Sequence, residues 1–207
     1  MIETANENVK LLAGLQELFA SATHDASAAM CRWTDGIISV ALDALRQVAL
    51  EDVAVELAVG DEPLTMVVMT LSGDLGGSII LMFDDLNGRQ LAASLLGREA
   101  GTDPEWSELE KSALMETGNI LGCAYVNALT RLVGMDLLPS APYFIQDFGA
   151  SVLQQALMIQ AAAGDSLLLC DIGFHRQGAK LDWRVIFVPT PGLQASLAQS
   201  LHAAPQP

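Results

Sequence analysis

Residues 108–142 read ELEKSALMETGNILGCAYVNALTRLVGMDLLPSAP, and this stretch decides the fold. Apolar residues recur at helical spacing from Leu109 to Val133. Asp103 or Ser107 starts the helix, Ser107 with Glu110 fits a capping box, and Gly134 closes it. On a helical wheel Ala113, Ile120, Leu121, Ala124, Ala128 and Leu132 cover one side. Glu108, Ser112, Glu116, Asn119, Cys123 and Asn127 cover the other. Gly118 and Gly122 are expected between the two faces. A glycine inside a helix costs about 1 kcal/mol against alanine, so close packing must offset it. Ser112, Glu116 and Asn119 fall at i, i+4 and i+7, which stacks them in one polar stripe.

Working outward, Leu138 to Phe148 reads as a strand with prolines near its start, and Ala150 to Ala163 as a helix. Ser166–Phe174 and Leu181–Pro189 form a hairpin across Arg176-Gln177-Gly178, and a last helix spans Leu193 to His202. The N-terminal side follows the same order. A long helix covers Val9 to Trp33, with Leu11, Leu12, Leu15, Leu18 and Phe19 on one side, broken by Thr34-Asp35-Gly36. Ile37 to Val48 suits a strand, although ALDALRQVA would also suit a helix. Glu51 to Ala58 is a short helix. Leu64–Leu71 and Gly77–Phe83 form a hairpin, and Asp84 or Asp85 caps a helix to Leu96. Arg98 to Pro104 is a polar linker. GRQLAASLLG and GLQASLAQSLH resemble each other at the ends of the two halves. The expectation is therefore a single α/β (α+β) domain over residues 1–207, with pseudo-two-fold symmetry. It is built from half-repeats 9–97 and 103–203, with six strands and two long helices packed on the sheet.

Hydrophobic residues make up 51% of the 207, enough for a sizeable core. The formal charge of −15 sets up a field that repels phosphate backbones and anionic lipid headgroups. Nucleic-acid and membrane-surface binding are therefore not expected. No apolar run reaches the roughly 18 residues of a membrane span. MIETANENVK lacks the basic start and apolar stretch of a signal peptide, so a cytoplasmic protein is expected. Cys31, Cys123 and Cys170 are scattered, as reduced thiols would be. His24, His175 and His202 have no metal-ligand spacing. Gly73-Asp74-Leu75-Gly76-Gly77 lies in a hairpin, not before a phosphate-binding helix. Trp33, Trp106 and Trp183 read as core or helix-end anchors.

The spacing Ser112-x3-Glu116-x2-Asn119-x22-Pro142 resembles the signature of the CheC/CheX family. Those proteins dephosphorylate phosphorylated CheY-type response regulators in chemotaxis. The resemblance implies that Glu116 and Asn119 enter the regulator's active site. Asn119 would position the attacking water and Glu116 would pair with the regulator's lysine. Ser112 and Pro142 would be structural. The protein would need no cofactor of its own, because the Mg²⁺ belongs to the regulator. CheC proteins usually carry a second motif on the first helix. Here the matching stripe is Glu17, Ser21 and His24, which lacks the acid–amide pair, so this first site is expected to be inactive. The resemblance leaves a non-catalytic alternative: an adaptor that binds a response regulator, a CheD-like deamidase or a flagellar switch component. It allows either a monomer or a homodimer. A small-molecule site in an apolar cleft between the halves has no polar constellation to support it. If the acid and amide act on another protein, both must be solvent-accessible, and no intramolecular salt bridge should hold Glu116.

Overall fold

The computed structural model describes residues 2–49, 51–57, 63–100, 105–148, 151, 166–176 and 179–203. In chain order these form α1 (Ile2–Trp33), β1 (Ile38–Ala49), α2 (Val53–Glu56), β2 (Pro63–Ser72), β3 (Gly77–Phe83) and α3 (Asp85–Leu95). They continue with α4 (Glu108–Val133), β4 (Leu138–Pro139), β5 (Tyr143–Phe148), β6 (Ser166–Arg176), β7 (Ala179–Pro189) and α5 (Pro191–Ala203). The helix expected over 150–163 lies outside the described residues except for Ser151, as do residues 177 and 178 of the last hairpin turn.

Local chemistry sets the ends of the elements. The Asp84 side chain accepts the Asn87 backbone N–H at 2.7 Å and caps α3. Ser107 caps α4 in a reciprocal box. Its Oγ accepts the Glu110 N–H at 3.3 Å, and the Glu110 carboxylate accepts the Ser107 N–H at 2.9 Å. Arg98, the first residue of the polar linker, reaches back to Glu110 at 2.9 Å. Burial pushes the Glu110 carboxyl up. The Ser107 hydrogen bonds and the Arg98 and Arg89 charges outweigh it and hold the group below the usual carboxylate range. Gly134 adopts φ 69° and ends α4 in the left-handed conformation that glycine adopts without strain.

All strand pairs are antiparallel, in the order β1-β6-β7-β3-β2-β4, with β5 also on β2. Read from either edge, the order has one form: an outer strand, then a hairpin from the opposite end of the chain. β1 pairs with β6 of the β6–β7 hairpin, and β5 pairs with β2 of the β2–β3 hairpin. Among the described residues seven strands appear where six were expected, because 138–148 is not one strand. Pro142, with no N–H to donate, sits in the break at 140–142. Ser140 closes the break by exchanging hydrogen bonds with Thr70: its N–H to the Thr70 carbonyl at 2.8 Å, and the Thr70 N–H to its Oγ at 3.1 Å.

The central strands are buried on both faces, so β3 reads as an unbroken apolar run. Val67, Leu71, Ile79, Leu81, Trp183, Val185 and Phe187 face the core shared with α1, α4 and α5. The alternate residues Met66, Val68, Ile80, Met82 and Ile186 form a second cluster with Val53 and Leu57 around α2. The two long helices meet in the first core. Phe19 stacks on Tyr125 at 5.1 Å between ring centroids, and the Thr23 and Tyr125 hydroxyls share a hydrogen bond of 2.9 Å. Asp25 and Arg131 link the same helices at 3.5 Å on the outside. Of the three tryptophans, Trp106 and Trp183 are buried, while Trp33 is exposed at the end of α1.

Candidate functional site

α4 is held down by its small residues. A Cβ on Gly118 would lie 2.5 Å from Val67 Cγ1, and one on Gly122 would lie 2.7 Å from Met69 Sδ. The helix backbone therefore rests directly on β2. This corrects the wheel reading, which put both glycines between the faces; they lie in the buried centre, with Leu114, Thr117, Leu121 and Tyr125. Of the residues expected to point inward, Ala113, Leu121 and Ala128 are buried. Ile120, Ala124 and Leu132 are half-buried at its flank, still against the core.

That seating turns the opposite stripe outward. Glu108, Ser112, Glu116 and Asn127 are exposed, and Asn119 and Cys123 are half-buried. Glu116 makes no side-chain hydrogen bond or ion pair among the described residues, and neither does Ser112. Asn119 has one contact: the Cys123 thiol donates to its Oδ1 at 3.5 Å. Burial pushes the Cys123 thiol up, and the Glu116 charge pushes it further, so it stays protonated at neutral pH. The stripe thus presents an unpaired carboxylate and, one turn on, an amide with its nitrogen uncommitted. It can accept hydrogen bonds or a cation at Glu116 and donate at Asn119. Its Ser112 hydroxyl and Cys123 thiol have no activating base beside them among the described residues.

Pro142 is not on the stripe. It lies in the link before β5, and β5 pairs with β2, the strand on which α4 rests. On α1, Glu17, Ser21 and His24 are all exposed, and none makes a side-chain hydrogen bond or ion pair among the described residues. Leu109 is 58% exposed, three residues before Ser112, an apolar side chain beside the polar stripe. Cys123 was placed on the stripe, but its bond to Asn119 was not foreseen; the i, i+4 spacing was the available signal.

No group of three or more histidine, cysteine, aspartate or glutamate side chains among the described residues could hold a metal ion. No described helix is long and apolar enough to cross a membrane. An apolar pocket opens elsewhere, between α1, β6 and α5. Leu11, Leu15, Leu168 and Leu197 line it, with no charged residue among the described residues of its wall.

No protein-family model matches the chain. It is 29% identical over 119 residues to the CheY-P phosphatase CheC of Bacillus subtilis, a match covering 56% of this chain and 57% of that protein. It is 22% identical over 125 residues to the putative CheY-P phosphatase CheC1 of Halobacterium salinarum, covering 60% of this chain and 63% of the relative. The matched stretch thus spans less than two thirds of each relative. Among solved structures, Thermotoga maritima FliY superposes with a TM-score of 0.73 at 15% identity, covering 93% of this chain and 96% of FliY. The FliM middle domain from H. pylori gives 0.67 at 13% identity, covering 91% and 97%. These two likenesses establish the fold, an α+β arrangement of helices on an antiparallel sheet. Set beside that fold, the sequence matches make the chain similar to CheC proteins.

Proposed function

We propose that this protein hydrolyses the aspartyl-phosphate of a CheY-type response regulator, using the single acid–amide pair Glu116 and Asn119. The observation that carries the reading is the outward stripe on α4: a carboxylate without a partner among the described residues, one turn from an amide whose nitrogen has none there either. The two relatives named as CheY-P phosphatases support it. Glu116 pairs with a lysine in the regulator's active site and fixes the docking angle. Because no internal salt bridge has to be broken, that pairing costs little beyond desolvation. Asn119 holds a water in line with the phosphorus. Water attacks, the P–O bond to the aspartate breaks, and the carboxylate leaves with the electron pair. An acyl phosphate is already activated, so orientation and electrostatic stabilisation supply the acceleration. The regulator's own Mg²⁺ balances charge on the phosphoryl oxygens. Leu109 adds an apolar contact at the rim of the docked surface.

One observation favours a second reading, an adaptor that binds a regulator, a CheD-like deamidase or a switch component without catalysis. The α1 stripe presents Ser21 and His24 where α4 presents Glu116 and Asn119, so only one helix carries the pair. The test follows phosphate release from phosphorylated CheY-type regulators of the same genome in Mg²⁺, with and without the protein. Acceleration is expected. Glu116→Ala is expected to raise KM as well as lower kcat, by about tenfold in kcat/KM, as loss of one interfacial charge pair does. Binding of a regulator with no acceleration would leave the adaptor.

A further inference from the structure

We propose that Cys123 is a positioning residue for Asn119, its thiol selecting which end of the amide meets the attacking water. This rests on the phosphatase reading above. The two ends of an asparagine amide have nearly the same shape and opposite hydrogen-bonding character. A surface asparagine with no partner turns over freely between them. Asn119 is not in that position. Cys123 lies one turn along the same face, with Sγ 3.5 Å from Oδ1. Both side chains are half-buried, on a helix anchored through Gly118 and Gly122. The thiol can act only as donor while it keeps its proton, and burial together with the Glu116 charge keeps it protonated.

With Oδ1 drawn back toward Cys123, Nδ2 is the end left for a docked partner. An N–H donated to a water oxygen orients that water and leaves its other lone pair aimed at phosphorus. The reversed amide would instead accept a hydrogen bond from the water and hold its lone pairs in a different direction. The corresponding place on α1, four residues after His24, is Ala28, which has no donor. The positioning contact and the acid–amide pair therefore occur together on α4 and are absent together from α1.

The experiment compares wild type with Cys123→Ala and Cys123→Ser by two readouts. The first is ¹⁵N relaxation of the Asn119 side-chain amide, assigned with Asn119→Ala. The second is kcat and KM on a CheY-type regulator phosphorylated with acetyl phosphate. The amide is expected to be ordered in wild type and in Cys123→Ser, and mobile in Cys123→Ala. In Cys123→Ala, kcat should fall about fivefold at unchanged KM, the worth of one net hydrogen bond. Cys123→Ser, which restores a donor, should recover to within about twofold. Equal amide order in Cys123→Ala and wild type would overturn the proposal. So would a Cys123→Ser variant that falls as far as Cys123→Ala, since loss of packing alone would then explain both. Wild-type protein with no effect on any regulator would sink the phosphatase reading, while the amide relaxation would still decide the contact itself.

Discussion

α1 and α4 lie side by side against the same core, yet their outward faces differ. Inside, they share one set of contacts: Phe19 on Tyr125, Thr23 bonded to Tyr125, and Ala22, Ala26, Leu121 and Leu129 all buried. Outside, each helix carries three residues at i, i+4 and i+7. On α4 these are Ser112, Glu116 and Asn119; on α1 they are Glu17, Ser21 and His24. Of the six, only Asn119 makes a side-chain hydrogen bond among the described residues, and that is to its neighbour Cys123. The fold therefore constrains the inner faces and leaves the outer stripes to whatever they meet in a partner. Under the proposed function, a carboxylate and an amide present on α4 but not on α1 make one working face, not two.

The largest effect expected is on Asn119. Asn119→Ala should lower the rate of phosphate release by about 100-fold or more, the usual cost of removing one group that orients the transition state. Circular dichroism and the melting temperature should not change, because the side chain supports nothing but Cys123. Loss of rate together with loss of fold would mean that Asn119 is structural and would erase the distinction between the helices.

Next comes the seat of α4. Gly118→Val places methyl groups into Val67, and overpacking of that kind should destabilise the protein by about 2 kcal/mol. For a domain of this size that is several degrees in Tm. A variant as stable as wild type would show that α4 does not need its backbone on β2, and the outward aim of the stripe would then need another cause.

A smaller effect separates the helix starts. Glu110 is held below its ordinary value of 4.5, so its contribution to stability is complete above that pH and is lost as pH falls through the lower folded value. Glu110→Gln should cost about 1 kcal/mol at pH 7, a typical capping contribution. The gap between wild type and variant should narrow as pH falls further below the ordinary carboxyl value of 4.5. Urea midpoints across that range measure it. A gap independent of pH would mean that the carboxylate charge plays no part.

The sequence made some of this legible and hid the rest for physical reasons. Ser107, Glu110 and Gly134 mark the ends of α4 because caps are local, and the β2–β3 hairpin could be read for the same reason. Thr190 and Pro191 also carried a start signal for α5: a threonine whose Oγ1 accepts the Leu193 N–H at 3.4 Å, then proline at the first helical position. The reading placed that start two residues late. The strand break at Pro142 was masked by apolar residues on both sides of it. The β1–β6 and β3–β7 pairings join residues more than 100 apart and leave no local trace. The stripe could be read because helical spacing alone puts Ser112, Glu116 and Asn119 together. That Glu116 has no partner among the described residues could be seen only in the fold.

Under the proposed function, α4 acts on the regulator and the equivalent stripe of α1 does not. The most direct test is the rate of phosphate release from one phosphorylated CheY-type regulator, measured side by side for Asn119→Ala and His24→Ala. At least about a 100-fold loss is expected for Asn119→Ala, and a rate within about twofold of wild type for His24→Ala, an exposed side chain with no hydrogen bond or ion pair among the described residues. Equal losses in the two variants would contradict this expectation, and would make α1 a second working site.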